Sequence, residues 1–127
     1  MPQVYEKEII VTDAHLDELN HVNNVQYIFW VEEMAREHWS ILKHETPFAK
    51  DYWVLAHHSI QYRKQVFKDE VLCVKTYPQK PEGIRQPRKV EFYRGEDLVV
   101  DSTTYWVLMN GETHKIIRLP EDWLNFE

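Results

Sequence analysis

The sequence predicts an α+β domain in which a five-stranded antiparallel sheet wraps around one long helix. Three observations carry this prediction: a single long helical pattern near the start, one strand before it, and four strands separated by turn signals after it. Consecutive strands joined by short turns pair antiparallel, and a helix that is apolar on nearly every side needs a sheet to cover it. At 127 residues the chain is expected to form one domain, residues 1–127.

The first strand is predicted at residues 4–11, VYEKEIIV, because β-branched residues partly alternate there with charged ones. Four further strands are predicted at residues 52–64, 70–77, 88–94 and 98–109. Turn-forming residues in FKDE, QKPEGIRQP and RGED separate these strands, and NGET ends the last one. A short closing turn is predicted to start at Pro120.

The helix is predicted from Asn24 to about Lys43. Polar residues mark one side of it, and apolar residues oppose them: Val25, Ile28, Phe29, Val31, Trp39 and Leu42. The early part, VQYIFWV, is apolar nearly all round, so we expect it to be covered on most sides.

Such a sheet leaves two unpaired edges, and the last strand carries aromatic residues on both of its faces, Tyr105 and Trp106. We therefore expect a homodimer at minimum, with the two sheets joined edge to edge, extended to a homotetramer by the packing of two dimers.

Composition excludes several classes of protein. The hydrophobic fraction of 43% excludes a disordered chain, and the net charge of −6 argues against a nucleic-acid-binding protein. No apolar run reaches the roughly 18 to 20 residues of a membrane span, and the start lacks the pattern of a signal peptide. With a single cysteine, Cys73, no internal disulfide is expected. A cytoplasmic protein without membrane partners is the expectation.

Basic residues are concentrated in one segment. Nine of the 15 lysines and arginines lie between residues 63 and 94 with only four acids, so this segment carries a charge of +5. One interpretation is a solvated sheet surface. The other is a contact surface for an anionic ligand, with Arg63, Arg88 and Lys89 as the candidate contacts.

The motif DELNHVNN, residues 17–24, stands directly before the helix. Asn23 is typical of an N-cap, since its side chain can accept from the second or third helical N–H. His21 is interpreted first as a residue that holds the shape of this loop and second as a catalytic residue. The first N–H groups of a helix lack internal partners and favour negative charge, so the backbone at Asn24 is suited to stabilise an oxyanion.

The segment DELNHVNNVQYIFWVEE contains this motif, with its acid, and the start of the helix. This segment resembles the hotdog-fold thioesterases. The similarity is to the acyl-CoA thioesterases related to 4-hydroxybenzoyl-CoA thioesterase and to the plant acyl-ACP thioesterases. It extends over nearly the whole chain, through HSIQYR and the RLP near the end. The resemblance implies that Asp17 is the catalytic carboxylate and that the Asn24 N–H points at the thioester carbonyl.

Two positions depart from the plant enzymes. Leu19 replaces an asparagine two residues before the histidine, and Gln65 replaces a glutamate after the helix. A simpler site is therefore expected, in which Asp17 and the helix terminus do most of the chemistry. Gln65 remains a candidate for positioning a water molecule or the acyl group, beside Asn23 and His21 as candidate substrate contacts.

The expected function is hydrolysis of an acyl thioester without metal or cofactor, acyl-CoA being the first choice of substrate. Asp17 would act as nucleophile or as general base on water. Three alternatives remain open: an acyl-ACP thioesterase, a dehydratase of the same fold, and an acyl-CoA-binding protein without catalytic activity. Nothing in the sequence has the spacing of a metal site, and His57 and His58 are adjacent on a strand, so they point to opposite faces.

Overall fold

One long helix packs across an antiparallel sheet in the computed structural model, which describes residues 4–124. The helix, α1, spans Asn24–Leu42. The strands are β1 (Tyr5–Ile10), β2 (Tyr52–Tyr62), β3 (Val71–Pro78), β4 (Gln86–Arg94), β5 (Asp97–Met109) and β6 (Ile116–Ile117). Their order is β1-β3-β4-β5-β2, with β6 paired to the end of β5. The predicted fold and its five strands are confirmed, and the two-residue β6 is an addition too short to show an alternating pattern.

The core lies between α1 and the inner face of the sheet. Residues of α1 at helical spacing are buried: Tyr27, Trp30, Val31, Met34, Ala35, His38 and Leu42. They meet inward-facing residues of the sheet that include Leu72, Val74, Val90, Phe92 and Val100, all fully buried. Strand alternation therefore sets which side chains reach the helix.

Strand β5 shows this alternation clearly. Trp106 faces inward, where its Nε1 donates to Thr104 Oγ1 at 2.8 Å. Tyr105 lies on the other face, with its ring centroid 5.7 Å from that of His57. The prediction that aromatic residues occupy both faces of this strand is confirmed.

Part of the helix remains uncovered within one chain. Val25, Ile28 and Phe29 are 68%, 37% and 55% exposed, although the apolar early helix was expected to be covered on most sides. A single sheet covers only one side of a helix, and these residues form a stripe on its flank. The hydroxyl of Tyr62, at the end of β2, donates to the Asn24 carbonyl at 3.4 Å, so the start of this stripe lies beside the end of the edge strand β2.

After β6 the chain closes with a turn in which the Trp123 N–H donates to the Pro120 carbonyl at 3.2 Å. The predicted closing turn is thus present as far as Leu124, and its last residues lie outside the described range. Among residues 4–124, every helix falls short of the length and apolarity that a membrane crossing requires. The same residues contain no cluster of three or more histidine, cysteine or carboxylate side chains that could hold a metal ion.

Candidate active site

The motif before α1 folds as a tight hairpin. Leu16 and Val22 form an antiparallel bridge, and the Asp17 N–H donates to the His21 carbonyl at 2.9 Å. The Asn20 N–H donates back to the Asp17 carbonyl at 3.1 Å, and Asn20 adopts a φ of +64°, which asparagine tolerates better than most residues. The hairpin ends directly at the helix, so it holds Asp17 at the N-terminal end of α1.

Two backbone N–H donors and the ring of His21 surround the carboxylate of Asp17. Its Oδ1 accepts from the N–H of Leu19 at 2.9 Å and from that of His21 at 3.4 Å. Its Oδ2 lies 3.2 Å from His21 Nδ1, and the Asp17 side chain is 26% exposed. His21 therefore holds the loop and the carboxylate, which matches the first of its two interpretations. Asp17 remains open to solvent on one side, as a residue that meets substrate must be.

The helix start combines a cap with a free donor. Asn23 is the N-cap, and its Oδ1 accepts from the Val25 N–H at 2.9 Å, as predicted from its side chain. The Gln26 N–H donates to the Asn23 carbonyl at 2.9 Å. Within residues 4–124, no acceptor is assigned to the Asn24 N–H. One backbone donor at the positive end of the helix dipole is thus available to a ligand.

Gln65 is brought to the same place by tertiary pairing. The Val22 N–H donates to the Val66 carbonyl at 2.8 Å, and His21 forms an antiparallel bridge with Phe67. This register places Gln65 opposite Asn23, next to the start of α1. Its side chain is exposed, and its carbonyl accepts from Arg94 Nη1 at 2.9 Å.

More than half of the basic residues in the predicted basic segment are paired with acids that lie far away in the sequence. Five of its nine basic residues form ion pairs: Arg63–Asp101, Lys64–Asp97, Lys68–Asp13, Lys75–Glu6 and Arg94–Glu70. These pairs favour the interpretation of a solvated surface over that of a dense site for anions.

The three candidate phosphate contacts occupy different environments. Arg63 forms a two-pronged ion pair with Asp101, whereas Lys89 donates to Thr103 Oγ1 at 2.9 Å on the outer face of the sheet. Arg88 is only 7% exposed and faces α1. The prediction that Arg88 is an exposed contact for CoA phosphates is therefore wrong. Arg88 and Lys89 are neighbours on one strand, so only one of them can face outward.

Two features of the region were not predicted. Tyr62 bonds to the first helical residue from the end of β2, and Arg88 bonds to His38 in the interior at 2.8 Å. Strand alternation was a usable signal for Arg88, because Val90 and Phe92 on the same face are core residues. The contact of Tyr62 spans 38 residues and has no local signal.

Comparison with known proteins identifies the family of the chain. Residues 3–126 match the family model of the acyl-ACP thioesterase N-terminal domain. No curated protein sequence matches the chain.

Solved structures share the fold at low sequence identity. A probable thioesterase from Escherichia coli, YbaW, superposes with a TM-score of 0.78 at 22% identity, covering 90% of this chain and 89% of its own. A DHNA-CoA thioesterase from Staphylococcus aureus superposes with a TM-score of 0.73 at 22% identity, and the match covers 91% of this chain and 80% of the S. aureus chain.

An acyl-ACP thioesterase from Bacteroides thetaiotaomicron superposes with a TM-score of 0.80 at 15% identity. Here the match covers 93% of this chain and 50% of the Bacteroides chain. At these identities the similarity to solved structures concerns the fold, whereas the family match extends over nearly the whole chain. The chain belongs to the acyl-ACP thioesterase family, through that family's N-terminal domain, and is a thioester hydrolase with the hotdog fold.

Proposed function

We propose that the protein hydrolyses acyl-CoA at the N-terminal end of α1, with Asp17 as the catalytic carboxylate and the Asn24 N–H as the donor to the thioester oxygen. The observation that carries the proposal is that two groups lie close together along the chain. One is the oriented, partly exposed carboxylate of Asp17, and the other is the Asn24 N–H, which has no acceptor among the described residues. A donor of this kind stabilises the oxyanion of the tetrahedral intermediate, which is often worth about 3 kcal/mol.

Two routes are compatible with this arrangement. In the first, an Asp17 oxygen attacks the thioester carbon, the C–S bond breaks to release the thiolate, and water then opens the mixed anhydride. In the second, Asp17 removes a proton from a water molecule, whose oxygen attacks the same carbon. A thiolate leaves readily in either case, so protonation of the leaving group is less urgent than in amide cleavage.

Gln65 and Asn23 are proposed as neighbours of the acyl group. Gln65 lies opposite Asn23 in the backbone register, and the carboxamide of an exposed glutamine can hold a water molecule or a carbonyl. The Oδ1 of Asn23 is already used in capping, so its contribution to substrate is limited to its amide nitrogen.

Two carriers of the acyl group are considered, CoA and acyl carrier protein. The family match concerns acyl-ACP thioesterases, and the S. aureus structure is a DHNA-CoA thioesterase. The same catalytic groups serve either carrier, because both present the acyl group as a thioester of a phosphopantetheine arm.

Thiol release measured with one acyl chain on both carriers tests the proposal. We expect a higher kcat/KM with CoA, and a panel of short, long and aromatic acyl-CoAs then defines the acyl preference. A higher kcat/KM with the carrier protein would reverse the choice of substrate. Binding of acyl-CoA with no thiol release from any substrate would contradict catalysis and favour a binding protein. Hydration of an enoyl thioester without thiol release would favour a dehydratase.

A further inference from the structure

A cavity of about 340 Å³ lies between the C-terminal half of α1 and the neighbouring ends of β2, β4 and β5. Four tryptophans contribute to its walls: Trp39, Trp53, Trp106 and Trp123. Asp17, Asn24 and Gln65 are not among its lining residues. Ala35, on its helical wall, is eleven residues beyond Asn24, which is about 16 Å along the helix axis. The cavity is therefore distinct from the proposed catalytic site of the same chain.

Arg88 lines this cavity from the sheet and is 93% buried (7% exposed). Burial lowers its pKa to about 10, so the guanidinium stays charged at neutral pH. Its Nη1 donates to His38 Nδ1 at 2.8 Å and to Thr76 Oγ1 at 3.0 Å. Burial, with the Arg88 charge adding to it, lowers the pKa of His38 to about 3, so His38 is neutral. Both acceptors of this buried cation are thus uncharged.

No carboxylate among residues 4–124 lies within ion-pair distance of Arg88. Glu32 and Asp51 line the same cavity, and Asp51 Oδ1 accepts from the Gly111 N–H at 2.9 Å. Arg36 and Lys43 lie on the lining as well, so the two acids are matched in number by two basic residues other than Arg88. A buried charge without a counter-ion is unfavourable. An anion bound next to the Arg88 guanidinium would therefore be stabilising.

The free donors of Arg88 form one particular edge. Both of its hydrogen bonds use Nη1, and no acceptor within the described residues meets Nε or Nη2. Arg63 shows what that edge binds in this protein: its Nε and Nη2 lie 3.1 and 3.3 Å from the two carboxylate oxygens of Asp101. The spacing of Nε and Nη2 matches the two oxygens of a carboxylate.

We propose that the cavity is a binding site for a carboxylate on an apolar body, in which the Nε–Nη2 edge of Arg88 receives the carboxylate and the tryptophans contact the body. Such a carboxylate has two sources. It is either a free carboxylic acid or the distal carboxylate of an acyl group, and the second source rests on the proposed function.

Titration with 3-phenylpropionate and its neutral amide, 3-phenylpropanamide, tests the site, with binding followed by calorimetry and by fluorescence of the lining tryptophans. Two charge-assisted hydrogen bonds predict that the wild-type protein binds the acid at least about tenfold more tightly than the amide. In Arg88→Gln the acid should lose this advantage. Equal affinity for the two compounds, or no saturable binding of the acid at millimolar concentrations, would overturn the proposal.

Two further variants separate this site from folding and from catalysis. Ala35→Leu fills the cavity from the helix without altering the guanidinium, so it should abolish binding of the acid even if Arg88→Gln fails to fold. Asp17→Asn should lose hydrolysis and keep the binding of 3-phenylpropionate. Unchanged binding in a folded Ala35→Leu protein would contradict the location of the site, whatever the outcome for hydrolysis.

Kinetics with an ω-carboxyacyl-CoA and an unsubstituted acyl-CoA of equal length distinguish the two sources. A lower KM for the ω-carboxyacyl substrate that disappears in Arg88→Gln supports the distal carboxylate. Equal KM values, together with binding of 3-phenylpropionate that depends on Arg88, support the free acid. Arg88-independent behaviour in both measurements excludes the site.

Discussion

At the scale of single residues, the geometry of Asp17 is compatible with two roles, a structural one and the proposed catalytic one. Its Oδ1 accepts from two backbone N–H groups of its own hairpin, which is how a purely structural aspartate holds a turn. The same bonds fix the direction in which the carboxylate faces, which a nucleophile or general base also needs. A structural role and a catalytic role of Asp17 are therefore distinguished by a substitution that removes the charge and keeps the hydrogen-bond acceptor.

Asp17→Asn makes that change. The Asn side-chain oxygen still accepts from the Leu19 and His21 N–H groups, so we expect the melting temperature to be nearly unchanged. We expect kcat to fall by about a hundred- to ten-thousand-fold, since a general base contributes that much, with a much smaller change in KM. Asp13→Asn removes a charge from a highly exposed neighbour and is the matched control.

A structural Asp17 predicts the opposite pattern, with lower thermal stability and only a modest loss of kcat in the Asn variant. If the loss is catalytic, single-turnover hydrolysis in heavy-oxygen water separates the two routes. Label recovered in Asp17 indicates an anhydride opened at the enzyme's carbonyl, whereas label only in the product acid favours a general base.

Lys89 is the candidate for the phosphates of CoA that is partly exposed and has no carboxylate partner among the described residues. Its substitution by Gln is expected to raise KM for acyl-CoA with little change in kcat, because phosphates lie far from the reacting carbon and bind equally in ground and transition states. Arg63→Gln should have a smaller effect, because a phosphate must first displace Asp101. Lys75→Gln, on the neighbouring strand and paired with Glu6, is the control. The same KM at low salt for Lys89→Gln and Lys75→Gln would contradict a phosphate contact by Lys89. The basic segment would then be interpreted only as a solvated surface.

At the scale of elements, α1 and β4 are joined by a polar contact inside an otherwise apolar interface. His38 accepts from Arg88 across 50 residues of sequence, and both side chains are buried. Burial is the first cause of the low pKa of His38, and the Arg88 charge is the second. Protonation of this histidine would place two positive charges side by side in the interior.

This contact predicts acid sensitivity. The pKa of His38 is about 3 in the folded chain and about 6.5 in an unfolded one, so only the unfolded state gains a proton between these values. Stability from this group is present above pH 6.5 and is lost as pH falls towards 3, at up to about 1.4 kcal/mol per pH unit.

In His38→Asn the amide oxygen can still accept from Arg88 but does not titrate. Urea unfolding from pH 7 to pH 4 should therefore give a flatter dependence of the free energy of unfolding in the variant than in the wild type. His58, whose pKa is also lowered by burial, contributes to both proteins and cancels in the comparison. Parallel pH profiles would show that His38 is not the group that titrates.

At the scale of the whole molecule, one apolar surface is left without a cover inside the described chain. It is the α1 stripe of Val25, Ile28 and Phe29, and the end of the edge strand β2 lies beside the start of this stripe. Within residues 4–124, β2 pairs only on its β5 side. A free edge beside apolar side chains is suited to pairing with a second copy of the same strand. We propose a homodimer formed through β2.

The outer face of the sheet supports the proposed homotetramer less directly. It carries tyrosines together with the partly exposed side chains of Lys75, Lys89, Glu91 and Asp101, which water can solvate. Packing of two dimers through this face therefore remains a proposal from the aromatic residues, whereas the dimer has an unpaired edge and an apolar stripe in its favour.

Phe29→Lys tests the dimer. Light scattering at micromolar concentration should give the mass of a dimer or tetramer for the wild-type protein and a shift towards monomer for the variant, because the charge lies in the apolar stripe. Ile41→Lys changes an equally exposed residue on the same helix, 54% against 55%, and should leave the mass unchanged. A monomeric wild-type protein would contradict the proposed assembly.

The sequence by itself determined the features that are encoded locally. The bounds of α1 follow from the N-cap at Asn23 and the helical spacing after it, and five strands follow from alternation and from the turns between them. The short β6 was missed because two residues carry no periodicity. The motif around Asp17 likewise lies within eight consecutive residues, so its position at the helix start was accessible without coordinates, whereas its hairpin was seen only in the structure.

Only the tertiary structure decided which side chains meet across the chain. Acids more than twenty residues away in sequence neutralise Arg63, Lys64, Lys68, Lys75 and Arg94, so a segment that is basic in sequence is largely paired in space. Arg88 became a buried residue beside His38, with one guanidinium edge free, through the packing of β4 against α1. Such pairings depend on sheet register and on the angle of the helix across the sheet, and neither is written in any local run of residues.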